Sequence, residues 1–407
     1  MSERMPQRIL IHSINYAPEL TGIGKYTGEM GQWLVEHGFE VRVITAPPYY
    51  PAWRVTEGYA TWWYRSEIIS GAHVCRCPLW VPERPSGVSR IVHLATFAIT
   101  SFPVMLWNAL TWRPDIVFVV EPPFFCAPAA WISARIARAT AWLHIQDFEL
   151  DAAYQLGILR SGFVRTLLSK FEKWMLCRYD RVSTISERML EKLEDKGVGT
   201  QRRLLFPNWV DINQIRPLVG SCDFRTTLNI PEGTFVLLYS GNMGKKQGLE
   251  ILVEVARLMS DRQDILLLFC GDGAVRNELT RMSDGLPNVR FIPLQPAELL
   301  NELLNAADVH LLPQRADAED LVMPSKLTGM LASGRPVVAT ARPGTQVANI
   351  VSQCGIVVDP GDVLGLKDAI LTLADDQQRR TRMGEAGRKF AVENWNREKI
   401  LQQVFAQ

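Results

Sequence analysis

Short apolar runs of strand length alternate with helix-period segments along this chain, and the alternation restarts once near its middle. The first series reads RILIHSI, VRVITAP, DIVFVVE, AWLHIQD and RVSTIS; the second reads FVLLYSG, DILLLFCGDG, VRFIPL, VHLLPQ, PVVAT and GIVVD. Runs this apolar bury both faces only in a parallel sheet covered by helices, so the pattern predicts an α/β chain with two doubly wound, Rossmann-like domains. Between the series, FPNWVDINQIRPLVGSCDF lacks periodicity and holds two prolines, which sets a linker near residues 211 to 222. At 407 residues and 47% hydrophobic content the chain exceeds one ordinary core and suits two domains of about 200 residues. The expected division is residues 1–211, residues 212–385, and a C-terminal helix over 386–407 returning to the first domain. Two such domains facing across a cleft hold ligands beyond the carboxyl ends of their strands.

With 44 basic and 43 acidic residues the net charge is +1, so no bulk field draws the chain to nucleic acid, and any cationic site must be local. The 7 cysteines are scattered at Cys75, Cys77, Cys126, Cys177, Cys222, Cys270 and Cys354, which fits a reducing compartment better than a disulfide framework. Cys75 and Cys77 near His73 lack a second ligand pair and read as packing rather than a metal site. MSERMPQR has no apolar core after its charges, so no secretory signal is read and the cytoplasm is expected.

The stretch NYAPELTGIGKYTGEM carries Gly22, Gly24 and Gly28 in a spacing reminiscent of dinucleotide loops. A nicotinamide site needs the first glycine directly after strand one and an acidic residue about 20 positions on. Here strand one ends near Ile14, and VRVIT runs into APPYYP without a carboxylate at its tip. The loop is therefore read as a flexible approach to a ligand ahead of a helix, against the plainer reading of a helix start. In the second half, LYSGNMGKKQGLEILVEVARL is a strand, a glycine turn with Lys245 and Lys246, and an amphipathic helix, a setting suited to a diphosphate. Gly271-Asp272-Gly273 follows the next strand, and Ser325 and Lys326 open a helix after VHLLPQ, so three glycine or basic loops fall on one sheet edge.

Taken in order, NYAPELTGIGKYTGEM, VRVITAPPYYP, LHIQDFELDAA, FPNWVD, YSGNMGKKQGLE, GDG and VMPSKLTGMLASGRPVV resemble glycosyltransferase family four, and within it the colanic acid biosynthesis fucosyltransferase subgroup. The likeness runs through essentially the whole chain. It implies a GT-B fold and a hexosyltransferase that needs no metal or cofactor and transfers a sugar from a nucleotide sugar with retention. It places Gly22 and Gly24 beside the donor diphosphate and the acceptor, and His144 near the donor sugar with Asp147 just beyond it. Gly241, Asn242, Lys245 and Lys246 fall in the donor turn and Gly271 in the glycine loop after the next strand, with Ser325 and Lys326 at the start of the donor helix. Two departures stand out. The family's Gly-Arg and Lys-Gly become Gly241-Asn242 and Gln247-Gly248, so Lys245 or Lys246 must reach the diphosphate. The usual pair of glutamates eight apart falls at Leu321 and Gly329, leaving Glu319 or Asp320 to replace the upstream one.

Metal-free retaining transfer needs cations to hold the leaving diphosphate, a role expected of Lys245 or Lys246, Ser325 and Lys326 while the sugar passes through an oxocarbenium-like state. His144 is expected to position the sugar, Asp147 the acceptor, and Lys246 to act on the leaving group. Residues 88 to 112 are apolar for about 20 positions, broken by His93, Pro103 and Asn108, and read either as a buried helix or as a membrane-dipping one. SGFVRTLLSKFEKWMLCRYDR sets Phe163, Leu167, Phe171, Trp174 and Met175 on one face, as an interfacial or a solvated helix would. The expectation is transfer of fucose from GDP-fucose to a polyprenyl-diphosphate-linked sugar in exopolysaccharide assembly, by an enzyme peripheral on the inner face of the cytoplasmic membrane. The competitors are a nucleotide-sugar epimerase or hydrolase of the same fold, and a non-catalytic nucleotide-sugar-binding subunit.

Overall fold

A computed structural model describes residues 7–83, 86–151, 162–218, 223–315 and 323–405, without the side chains of Val164 and Lys246. The chain divides into two compact units, Met1–Pro207 and Asn208–Gln407.

The first unit holds β1 (Arg8–His12), β2 (Glu40–Thr45), β3 (Arg65–Ile69), β4 (Ala72–Arg76), β5 (Ile116–Glu121), β6 (Thr140–Ile145), β7 (Arg181–Thr184) and β8 (Arg203–Leu205). They form one sheet in the order β3-β4-β2-β1-β5-β6-β7-β8, parallel except for the β3–β4 edge hairpin. Ser70 and Gly71, both at positive φ, make that hairpin's two-residue turn. β5 is buried along its whole length, as a central parallel strand covered on both faces must be. The helices that matter below are α1 (Gly22–Glu36), α2 (Gly87–Thr111), α3 (Ala127–Ala137), α4 (Gly162–Leu176) and α5 (Glu187–Asp195). α1 turns Tyr26, Met30, Trp33 and Leu34 inward. Cys77 and Cys126 are buried in the same core as Leu10, Val119 and Leu143.

The second unit holds β9 (Phe235–Ser240), β10 (Ile265–Cys270), β11 (Val289–Ile292), β12 (Val309–Leu312), β13 (Val337–Thr340) and β14 (Gly355–Val358) in the order β11-β10-β9-β12-β13-β14, all parallel. All six match the apolar runs of the second series. Strand order reverses between β1 and β5 in one unit and between β9 and β12 in the other, which opens a crevice at those strands' carboxyl ends. Residue 386 lies inside the helix Gln377–Asn394 rather than opening a new one. The last helix, Arg397–Phe405, begins where Val210 N donates to Trp395 O at 2.8 Å and Arg397 N donates to Val210 O at 3.1 Å, joining the chain's end to the start of this unit.

Candidate active site

At the carboxyl edge of the second sheet, β9 runs into Gly241, whose φ of 132° suits glycine, and Gly241 N donates to Cys270 O at 2.9 Å. The neighbouring loop is laid directly on this turn. A Cβ on Gly271 would stand 2.1 Å from Gly241 O, and one on Gly273 would stand 2.4 Å from Met243 O. The Gly-Asp-Gly triplet therefore exists so that two loops can touch, a reason independent of any phosphate. Met243 N donates to Asp272 O at 2.8 Å, and Tyr239 donates its hydroxyl to Asn242 O at 2.6 Å, so the turn is held from both sides. Asn242 and Lys245 are exposed on it, and Lys245 starts the short helix Lys245–Gln247.

Lys326 arrives at this turn from the first residue of the helix Lys326–Ala332, with Ser325 exposed just before it. Its Nζ lies 4.0 Å from the centre of the Tyr239 ring and 4.0 Å from where a Cβ on Gly241 would be. The ammonium has exchanged water for an aromatic face. Burial pulls its pKa from the usual lysine value down to about 7. The structure thus brings Gly241, Asn242, Gly271 and Lys326 together on one edge. Gly329 sits on the same helix with its Cα side facing Leu304, 3.4 Å from a would-be Cβ. Asp320, Glu319 and Leu321 lie outside the described residues, as does the side chain of Lys246.

Arg315 was not singled out in the sequence. It follows β12 by three residues, and its Cγ lies 2.7 Å from a would-be Cβ of Gly248, which has a φ of 63°. A basic residue is thereby added to the β9 loop across the point where strand order reverses. The available signal was a cation placed just past a strand end in the half where Asn242 lacks one.

In the first unit the glycine stretch proves to be two things. Gly22 is exposed at a φ of 59°, and Thr21 ahead of it makes no side-chain cap, so the first N–H groups of α1 are not satisfied by it. Gly24 is buried instead, where a Cβ would meet Glu19 at 2.7 Å, and Gly28 likewise faces Ala17 at 2.9 Å. These two let the loop after β1 pack on α1. Glu19 is the loop's organiser: Oε1 accepts from Tyr49 N at 2.9 Å and Tyr50 N at 2.8 Å, while Oε2 accepts from Asn15 at 2.8 Å.

His144, on β6, is buried with both ring nitrogens engaged. Gln146 donates its amide to Nε2 at 2.9 Å, so Nδ1 carries the proton and donates to Ser183 Oγ at 2.9 Å, which also accepts from Trp142. Burial lowers its pKa to about 3, so the ring is neutral at pH 7. Asp147 follows two residues beyond the strand and is half-buried. Glu121 ends β5, 1% exposed, and among the described residues neither of its oxygens meets full hydrogen-bond geometry. Burial foremost, then Glu149 and Glu172, raise its pKa well above the carboxylate range despite Lys196 opposite.

The description "Glycosyl transferase 4-like domain" matches residues 21–209, and "Glycosyl transferases group 1" matches residues 223–390. WcaI of Escherichia coli strain K12, a protein named for glycosyl transfer in colanic acid biosynthesis, is 40% identical over 412 residues, covering 97% of this chain and 98% of WcaI. The chain belongs to this glycosyl transferase family. The fold of this glycosyltransferase is GT-B: sucrose-phosphate synthase of Thermosynechococcus elongatus superposes with a TM-score of 0.76 at 19% identity, covering 98% of this chain and 97% of that one. HepE of Anabaena, solved with UDP and glucose, gives 0.69 at 15% identity and covers 98% of each chain. The turn after β9 thus carries Asn242 and Lys245, with Lys326 and Arg315 as the cations that approach the β9 loop.

Proposed function

We propose that this glycosyltransferase moves a sugar, with fucose from GDP-fucose as the leading candidate, onto a polyprenyl-diphosphate-linked sugar in exopolysaccharide assembly of the colanic acid type. The observation that carries the reading is Lys326, an amine with its pKa drawn to about 7 at the edge where β9, its glycine turn and the helix Lys326–Ala332 meet. A desolvated cation gains charge and binding energy when a diphosphate arrives, and gains more as the leaving group's charge grows in the transition state. On this reading Lys326, Lys245 or Lys246, and Ser325 hold the leaving nucleotide without a metal, and the departing phosphate oxygen takes the acceptor's proton with retention at the anomeric carbon. His144 acts through a fixed neutral imidazole whose tautomer is set by Ser183 and Gln146.

A lipid-linked acceptor and a location on the inner face of the cytoplasmic membrane are supported by the first unit's surface. α2 is long and apolar enough to cross a bilayer, yet 28% of its most apolar window is buried, and Val88, Ile99, Trp107 and Leu110 are exposed along it. α4 exposes Phe163, Leu167, Phe171 and Trp174, with Trp174 edge-on to Trp131 of α3 at 6.4 Å. Apolar helix faces beside Lys170, Lys173 and Arg178 suit a bilayer interface. The experiment is a donor screen: purified protein, lipid extract carrying polyprenyl-diphosphate-glucose, and radiolabelled nucleotide sugars, scored for label entering the lipid phase. Label from GDP-fucose alone is the expected result. Donor consumed to free nucleotide with unlabelled lipid would replace transfer by hydrolysis or epimerisation.

A further inference from the structure

At the carboxyl edge of the first unit's sheet, His93 of α2 is fully buried with half of its hydrogen-bonding unmet. Its Nδ1 lies 2.7 Å from Trp80 O, and a carbonyl can only accept, so Nδ1 carries the proton. Nε2 is then an acceptor with no donor among the described residues, a costly arrangement inside a protein. The ring is enclosed by Tyr49, edge-on at 4.7 Å, and by Trp53 at 5.2 Å. Trp53 is itself strained: it holds a φ of 53°, a left-handed conformation that bulky residues avoid, in a stretch without regular structure between β2 and β3. The Arg90 guanidinium stands 5.6 Å from the Trp53 ring, and its charge acts on Tyr49, Tyr50, His93 and the Glu149 carboxyl. Tyr50 in turn reaches the glycine loop, 3.6 Å from a would-be Cβ of Gly22.

We propose that Trp53, His93 and Arg90 form the acceptor subsite, taking a pyranose joined to a phosphate. Trp53 moves off His93 and stacks on the sugar's apolar face, a sugar hydroxyl donates to Nε2, and Arg90 pairs with the phosphate. Each group supplies what such a ligand requires: an aromatic platform, an unmet acceptor and a cation with bidentate reach. The hydroxyl would satisfy the ring nitrogen of His93 that has no donor among the described residues. The inference rests on the transfer reading above and names the residues that receive its acceptor.

The test uses the full chain, the donor found in the screen, and farnesyl-diphosphate-linked glucose as a soluble acceptor probe, with octyl glucoside as the phosphate-free comparison. Trp53→Ala and His93→Gln are expected to raise the KM for the probe by about tenfold or more while leaving the equilibrium Kd of the nucleotide sugar within about twofold. Trp53→Phe, which keeps an aromatic face, is expected to stay within about threefold of the parent, separating lost stacking from a lost fold. Arg90→Ala should weaken the diphosphate probe about tenfold and octyl glucoside little. Unchanged KM in Trp53→Ala and His93→Gln, or a parallel loss of donor affinity, overturns the proposal while the transfer reading stands. An unsubstituted protein that transfers to neither acceptor overturns both.

Discussion

Replacing Lys326 by arginine should remove the pH dependence of donor binding while leaving binding itself in place. The amine has lost most of its hydration to the Tyr239 ring and the Gly241 turn, so its pKa stands at about 7 and half of the molecules carry an uncharged lysine at neutral pH. A bound diphosphate draws the pKa back up, and binding above pH 7 then takes up a proton. If the bound value exceeds about 9.5, the Kd of a nucleotide sugar rises about 25-fold between pH 6 and 8.5. A guanidinium keeps its charge throughout, so Lys326→Arg should vary by less than about threefold over that range. Lys326→Met should bind about 10- to 100-fold more weakly at pH 6 and show no slope. The ligand-free protein reports the same group in reverse. The folded pKa lies below the unfolded one, so the unfolded chain holds more protons between pH 7 and 10.5, and stability rises with pH across that window. Because Lys326 is only half-buried, the cost at pH 7 is about 1–2 kcal/mol, and Lys326→Met should recover about that much. Isothermal titration of a nucleotide sugar, whose diphosphate has no ionisation in this range, reads the first effect, and denaturant unfolding reads the second. A flat Kd in the parent, or an equal slope in Lys326→Arg, would refute the reasoning.

Gly271→Ala places a methyl 2.1 Å from Gly241 O at a φ of 138°, so it should cost about 3 kcal/mol or more in denaturant unfolding and displace the donor turn; a loss below about 1 kcal/mol would mean the loops do not touch. Glu121→Gln tests the buried carboxyl at the end of β5. Its raised folded pKa means that its contribution is fully present below the unfolded value and is lost as pH rises, so the variant's advantage over the parent should grow between pH 5 and 8, by at most about 1.4 kcal/mol per unit. A difference that stays constant with pH would place the Glu121 carboxyl in a solvated setting.

Apolar periodicity carried the architecture because central parallel strands are buried on both faces and have little freedom of composition. β9 to β14 all coincide with runs visible in the chain, and so do β1, β2, β5, β6 and β7. The strands that escaped notice are β3, β4 and β8. β3 is an edge strand whose residues are mostly exposed, so RSEII shows no strong pattern, and β8 is three residues long. The family likeness rested on loop motifs, and the comparison with WcaI covers the same full length.

Residue types and their order also fixed which loops stand at the carboxyl ends of the strands, and hence that Gly241 and Lys326 would meet on one edge of the second sheet and that His144 would stand near the end of a strand in the first. What they do there depends on neighbours distant in sequence. Lys326 reads as a plain cation for a diphosphate until Tyr239 is placed under it, and His144 as a residue that positions the sugar, its tautomer unknown until Ser183 and Gln146 occupy both nitrogens. Gly24 and Gly271 read as donor-loop glycines until Glu19 and Gly241 are seen to need the room. Protonation, tautomer and close approach are set by desolvation and contact across tens or hundreds of residues. Those quantities come into being only when the sheet and its loops are assembled.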